Sequence, residues 1–181
     1  MNNFLEQLVA NWYQYQGYFV RTNIKFGKRP GGGYVGEIDV AAFNPKNKIL
    51  IHLEVSGDAD SWAGRQKTFQ KKFKASSNHY ESIFDFQIEQ IRKIAVVGFS
   101  KPKKPIQFGN DIELIVIPGL VTQITEAMEK LDPAKAVISE AYPLLRAIQF
   151  AVWSGKSKFK EKISKSSEEE RSLSRSPYHA R

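Results

Sequence analysis

The sequence predicts a single α/β domain built on a mixed sheet, and three observations carry that expectation. Apolar residues recur with helical spacing, alternate with a period of two in three successive segments, then return to helical spacing before two buried-looking runs. The tetrapeptide Asn44-Pro45-Lys46-Asn47 is a strong turn signal between two alternating segments, which should therefore pair as an antiparallel hairpin. At 181 residues, 41% apolar and 25% charged, the chain has ordinary globular composition and room for one core.

Each element has its own signal. Phe4, Leu5, Leu8, Val9, Trp12 and Tyr15 place one apolar face on a helix over 4–16, and Gly17 ends it. Residues 18–26 alternate as a strand, followed by a Gly/Pro loop over 27–33 that holds Lys28 and Arg29. Strands over 34–43 and 48–56 flank the turn. Asp58 or Asp60 is expected to cap a helix running to about residue 79, with Trp62, Phe69 and Phe73 on one side. Residues 94–99 and 112–117 read as buried strands separated by the basic loop 101–105. Two helical stretches, 120–131 and 133–153, follow. The tail 154–181 is basic and Ser-rich with almost no apolar content, so it cannot offset ordering entropy and is expected to be disordered. The expected division is therefore an α/β domain over 1–153 and a tail.

Charge and composition narrow the function classes. The net charge is +8, which favours a polyanionic partner, nucleic acid above all, although half of that excess lies in the tail. Cysteine is absent, which excludes disulfide scaffolds, thiolate zinc sites and cysteine nucleophiles. The first residues lack a signal-peptide pattern and no run has membrane-spanning length, so a cytoplasmic protein without a membrane partner is expected.

The hairpin carries the chemistry. In 34–43 one face should hold Ile38, Val40 and Ala42, and the other Glu37, Asp39 and Ala41. In 48–56 the faces are Ile49, Ile51, Leu53 and Val55 against Leu50, His52, Glu54 and Ser56. Putting both apolar faces on one side requires even residues of the first strand to pair with odd-side neighbours of the second. With Phe43 opposite Lys48, Asp39 faces His52 and Glu37 faces Glu54. That register gathers Glu37, Asp39 and Glu54 on one patch, where like charges repel unless a hard cation such as Mg²⁺ offsets them. The pattern alone is equally compatible with Glu37 and Glu54 facing solvent or pairing with Lys and Arg.

The run Gly36-Glu37-Ile38-Asp39-Val40-Ala41-Ala42 followed by Ile49-Leu50-Ile51-His52-Leu53-Glu54-Val55-Ser56 resembles the PD-(D/E)xK nuclease superfamily. The resemblance implies a restriction-endonuclease-like core of helix, three strands, helix and strand, here with an extra C-terminal strand and helices. It implies Asp39 and Glu54 as catalytic metal ligands, the Val55 carbonyl as another, and Glu6 of the first helix as an acidic neighbour. Mg²⁺ or Mn²⁺ is the implied cofactor, endonuclease the implied activity and DNA the implied substrate. The family lysine two residues after the second acid is Ser56 here. Some branches supply it from the following helix, and Lys67 or Lys71 are the candidates.

On that helix Arg65, Lys67, Lys71, Lys72 and Lys74 form a basic row without an acid, a plausible phosphate-tracking face; a solvated face is the plain alternative. His52 fits a supporting hydrogen-bond role. Trp62 and Tyr80 fit core packing better than base stacking. Gly31-Gly32-Gly33 is not a phosphate loop, since no Lys-Ser/Thr follows. The expected function is Mg²⁺-dependent phosphodiester hydrolysis in DNA. The rival is a non-catalytic nucleic-acid-binding module that keeps the fold. A homodimer is left open.

Overall fold

In the computed structural model the described residues are 3–58, 60–76, 78–98, 108–109 and 111–156. Helix α1 (Phe4–Tyr15) leads into strands β1 (Phe19–Lys28), β2 (Tyr34–Asn44) and β3 (Ile49–Ser56). Helix α2 (Trp62–Ser76) and a short 3₁₀ turn (Tyr80–Ser82) lead to β4 (Gln90–Val97), β5 (Ile112–Ile115) and helix α3 (Ile117–Met128). The sheet order is β1-β2-β3-β4-β5, antiparallel over the first three strands and parallel for β3-β4 and β4-β5. The architecture is thus an α/β fold with a five-stranded mixed sheet flanked by helices. The parallel β3-β4 pair needs a crossover, and α2 supplies it. The contacts divide the chain into two compact units, Met1–Ile124 and Thr125–Arg181, where the sequence showed no internal boundary.

Local chemistry accounts for the element ends. Asn3 caps α1 through its Oδ1, which accepts the Leu5 N–H at 3.1 Å, and Gly17 leaves the helix with φ +88°. The helix α2 is capped by Ser61, whose Oγ accepts the Gly64 N–H at 3.2 Å, rather than by Asp58 or Asp60. The last helix spans 143–156, beginning at Pro143 and not at Pro133. Upstream, Asp132 takes the N–H groups of Ala134, Lys135 and Ala136 into a turn. The basic loop 101–105 and residues 157–181 of the expected tail lie outside the described residues. Among the described residues no helix is long and apolar enough to cross a membrane.

Both faces of the central strands are covered. Residues 38–43 of β2 and 50–55 of β3 are buried at odd and even positions alike, as are residues 94–97 of β4. One apolar cluster joins Phe26, Ile38, Ala41, Phe43, Leu50, Tyr80 and Ile83; another joins Phe69 and Phe73 of α2 to Ala95 and Val97 of β4.

Two expectations about the hairpin are corrected. The register pairs Asn44 with Ile49 and Val40 with Leu53, so Ala41, not Asp39, faces His52, and Asp39 comes opposite Glu54 instead of Glu37. The turn takes four residues, 45–48. Asn44 Oδ1 accepts the Lys46 N–H, Asn47 Oδ1 accepts the Ile49 N–H, and Lys48 adopts φ +53°. Nor does the two-face alternation run unbroken through β2, because Ile38 packs in the same cluster as Ala41 and Phe43. On the neighbouring strand, Asn23, which the register sets opposite Asp39, has φ +53°, a local break in the regular pleat of β1.

Candidate active site

The site lies where β2 and β3 part. Main-chain pairing between them ends at Val40 and Leu53, and beyond it Asp39 Oδ2 accepts the Val55 N–H at 2.8 Å. A side chain thus replaces the next rung of the ladder, which fixes the Asp39 carboxylate at the strand edge. Glu54, fully buried, projects to the same place from β3. Lys72 of α2 joins them. Its Nζ lies 3.2 and 3.1 Å from the two Asp39 oxygens and forms an ion pair with Glu54 Oε2.

A cleft of about 330 Å³ opens onto Asp39 and Lys72, lined also by Glu6, Val55 and Ser56, with the fully buried Glu54 behind them. Glu6 therefore faces the same space as the expected ligand Val55. Glu37 instead pairs in register with Lys25 of β1. Among the described residues no group of three or more His, Cys, Asp or Glu side chains is gathered as a metal cluster, so the candidate rests on two carboxylates.

Burial dominates the electrostatics. It pushes the Asp39 carboxyl up to about 6, with the Glu54 charge adding to it and Lys72 opposing. Glu54 is raised by burial against the pull of Lys72, and Glu6 is raised by burial and then by Asp39. For Lys72 burial works downward, yet the Glu54 and Asp39 carboxylates together outweigh it and raise the ammonium above its usual range. One lysine therefore leaves the acidic pair short of positive charge. Hard oxygen donors short of a cation fit Mg²⁺ or Mn²⁺, which are held by one or two carboxylates with water and phosphate oxygens completing the shell.

Behind Glu54 lies a buried polar chain. His52 Nε2 is 2.7 Å from Glu54 Oε1, and His52 Nδ1 is 2.8 Å from the Tyr80 hydroxyl and 3.3 Å from Ser76 Oγ. Burial pushes the imidazole down to about 3, so the ring is neutral.

The basic row of α2 is split by helical phase. Arg65 is buried, stacked 4.9 Å from the Trp62 ring and donating to the Asp58 carbonyl. Lys67, Lys71 and Lys74 are exposed, while Lys72 is half-buried against the carboxylates. The lysine that reaches the acidic pair is thus Lys72 rather than Lys67 or Lys71. Position 72 follows Phe69 by three and Arg65 by seven, and so shares the inward face that their packing defines. Ser56, in the place of the family lysine, donates from Oγ to Asp58 Oδ2 at 2.8 Å and accepts the Asp58 N–H, shaping the turn into α2. Tyr80 is buried behind His52, and Trp62 is half-buried, packed edge-on to Phe108.

Comparison with known proteins adds little. No family model and no curated protein matches the sequence. A solved structure described as a protein of unknown function, AF1548, is 16% identical, with 81% of this chain and 78% of that chain covered at a TM-score of 0.45.

Proposed function

We propose that the protein is a metal-dependent nuclease of the PD-(D/E)xK, restriction-endonuclease-like type, hydrolysing phosphodiester bonds in DNA. The observation that carries this reading is the convergence of Asp39, Glu54 and Lys72 at the parting of two strands. Two acids and a lysine are the chemical complement that the hairpin motif calls for, with the lysine delivered by α2 in place of Ser56. Asp39 and Glu54 would hold Mg²⁺ or Mn²⁺, with Glu6 and the Val55 carbonyl at the cleft wall. The bound ion supplies an activated water and charge stabilisation at the phosphodiester.

The chain's own residues do the rest. Val55 N–H and His52 Nε2 each occupy one oxygen of the acids, which holds both carboxylates in one orientation. Lys72 would present its ammonium to the scissile phosphate, where positive charge counts most in the transition state. The exposed Lys67 and Lys71 track backbone phosphates next to the cleft.

The direct test is cleavage of branched, single-stranded and duplex DNA with Mg²⁺ or Mn²⁺ supplied. Metal-dependent cleavage of any of them supports the reading; DNA binding without cleavage and without ion binding favours the non-catalytic module. Ser56→Lys discriminates further. Because Lys72 already supplies the cation, this variant is expected to gain no activity, and a rate increase of an order of magnitude would mark the natural chain as an attenuated enzyme.

Affinity has its own test. Changing Lys67 and Lys71 together to Gln should lower the slope of log affinity against log salt by about 2, near 0.9 per phosphate contact. An unchanged slope removes this helix face from the interface.

A further inference from the structure

Glu54 cannot choose its own orientation. It is fully buried, and both of its oxygens are engaged on opposite errands: Oε2 with Lys72 at the cleft, Oε1 with His52 inside the core. His52 and Glu54 are two residues apart on β3, so they share a face, and the contact follows from strand geometry.

The proton inventory fixes the direction of the inner bond. Ser76 Oγ carries one proton and lies 3.1 Å from the Phe73 carbonyl, which accepts it. The Tyr80 hydroxyl lies 2.8 Å from His52 Nδ1 and 3.4 Å from Ser76 Oγ, and the shorter contact makes it the donor to Nδ1. An accepting Nδ1 puts the proton of the neutral ring on Nε2, where it donates to Glu54 Oε1 at 2.7 Å. Tyr80 is itself 4% exposed and anchored in the apolar cluster beside Ile83, so the chain Tyr80–His52–Glu54 runs from rigid core to cleft.

We propose that His52, backed by Tyr80, is a positioning residue for Glu54, tying Oε1 into the core so that Oε2 alone is left facing Lys72 behind the cleft wall. The proposal rests on the metal-site reading above. Outer partners of this kind fix ligand rotamers and are worth roughly 10–100-fold in metal affinity.

Two measurements on the full chain test it. Nitrogen-15 spectra of labelled histidine should show His52 protonated at Nε2. Calorimetry with Mn²⁺ should show His52→Leu weakened by about 10–100-fold, whereas His52→Gln, which keeps a donor toward Glu54 and an acceptor for Tyr80, retains near wild-type affinity. An Nδ1-protonated ring overturns the proposal. So does a folded His52→Leu chain with unchanged affinity, or an equal loss in the Leu and Gln variants, since that reflects packing alone. If His52→Leu does not fold, Tyr80→Phe takes its place, and unchanged Mn²⁺ affinity in it overturns the proposal. A wild-type chain that binds no Mn²⁺ overturns instead the metal-site reading beneath it, whichever tautomer is found.

Discussion

Asp39→Asn and Glu54→Gln are each expected to abolish metal-dependent cleavage, by on the order of 10³-fold or more, because each removes an anionic oxygen ligand while preserving shape. Mn²⁺ binding, followed by calorimetry, should fall in parallel. Stability should move the other way. Burial raises the Asp39 carboxyl from 3.8 to about 6. The folded state therefore holds that proton more tightly than the unfolded chain does. The stabilising contribution of protonated Asp39 is fully present below about pH 4 and is lost as pH rises through about 6. At pH 7 the wild type carries the cost of a buried charge, on the order of 3 kcal/mol with the relief provided by Lys72 already included. Asp39→Asn is free of that cost and still offers an oxygen to the Val55 N–H. Its melting temperature at pH 7 should equal or exceed that of the wild type, and the wild-type decline between pH 4 and 6 should flatten. A variant that melts well below the wild type at pH 7 would show that the Asp39–Lys72 pair is net stabilising and that the acid is there for structure.

Lys72→Met should be the second severe lesion. Losing one preorganised cation at a reacting phosphate costs roughly 10²–10³-fold in rate, while affinity for DNA loses at most one phosphate contact. That separation of rate from binding is the mark of a transition-state role. Lys67→Ala and Lys71→Ala, in contrast, should cut at close to the wild-type rate. Lys72→Met also strips the one cation that pairs, among the described residues, with either buried carboxylate. Breaking such a pair costs several kcal/mol when it is wholly buried; with the lysine side chain 36% exposed, about 1–3 kcal/mol is expected. With Lys72 gone both acids are raised further, so the loss should be largest at pH 8 and should recover on acidification. Thermal melts across that range check the sign. If Lys72→Met cleaves normally and Lys67→Ala or Lys71→Ala does not, the assignment of the lysine moves outward along α2.

The element order, the hairpin and the identity of its two acids were legible in the sequence. They depend on periodicity, turn chemistry and a local motif, all of which are written in neighbouring residues. Even the pairing parity was legible, because two strands with apolar sides cannot slip by one residue without exposing one of them. The exact register was not, since a shift that preserves parity leaves the hydrophobic pattern unchanged. The turn decided it, through Lys48 at φ +53° and the Asn44 and Asn47 side chains. The left-handed conformation at Asn23 was equally hidden, because the alternation of β1 carries no signal for it. The same holds for the lysine. Eight of the ten residues 65–74 are polar or charged in ways that look interchangeable along the chain, and the helix phase narrows the choice only once the packing of Phe69 and Phe73 against β4 is known. That packing turns Arg65 inward onto Trp62, sets Lys72 against Asp39 and Glu54, and leaves Lys67 and Lys71 to solvent. Local residues determine which side chains are available, but the burial that raises Asp39 and brings a lysine to it exists only when helix and sheet close on each other.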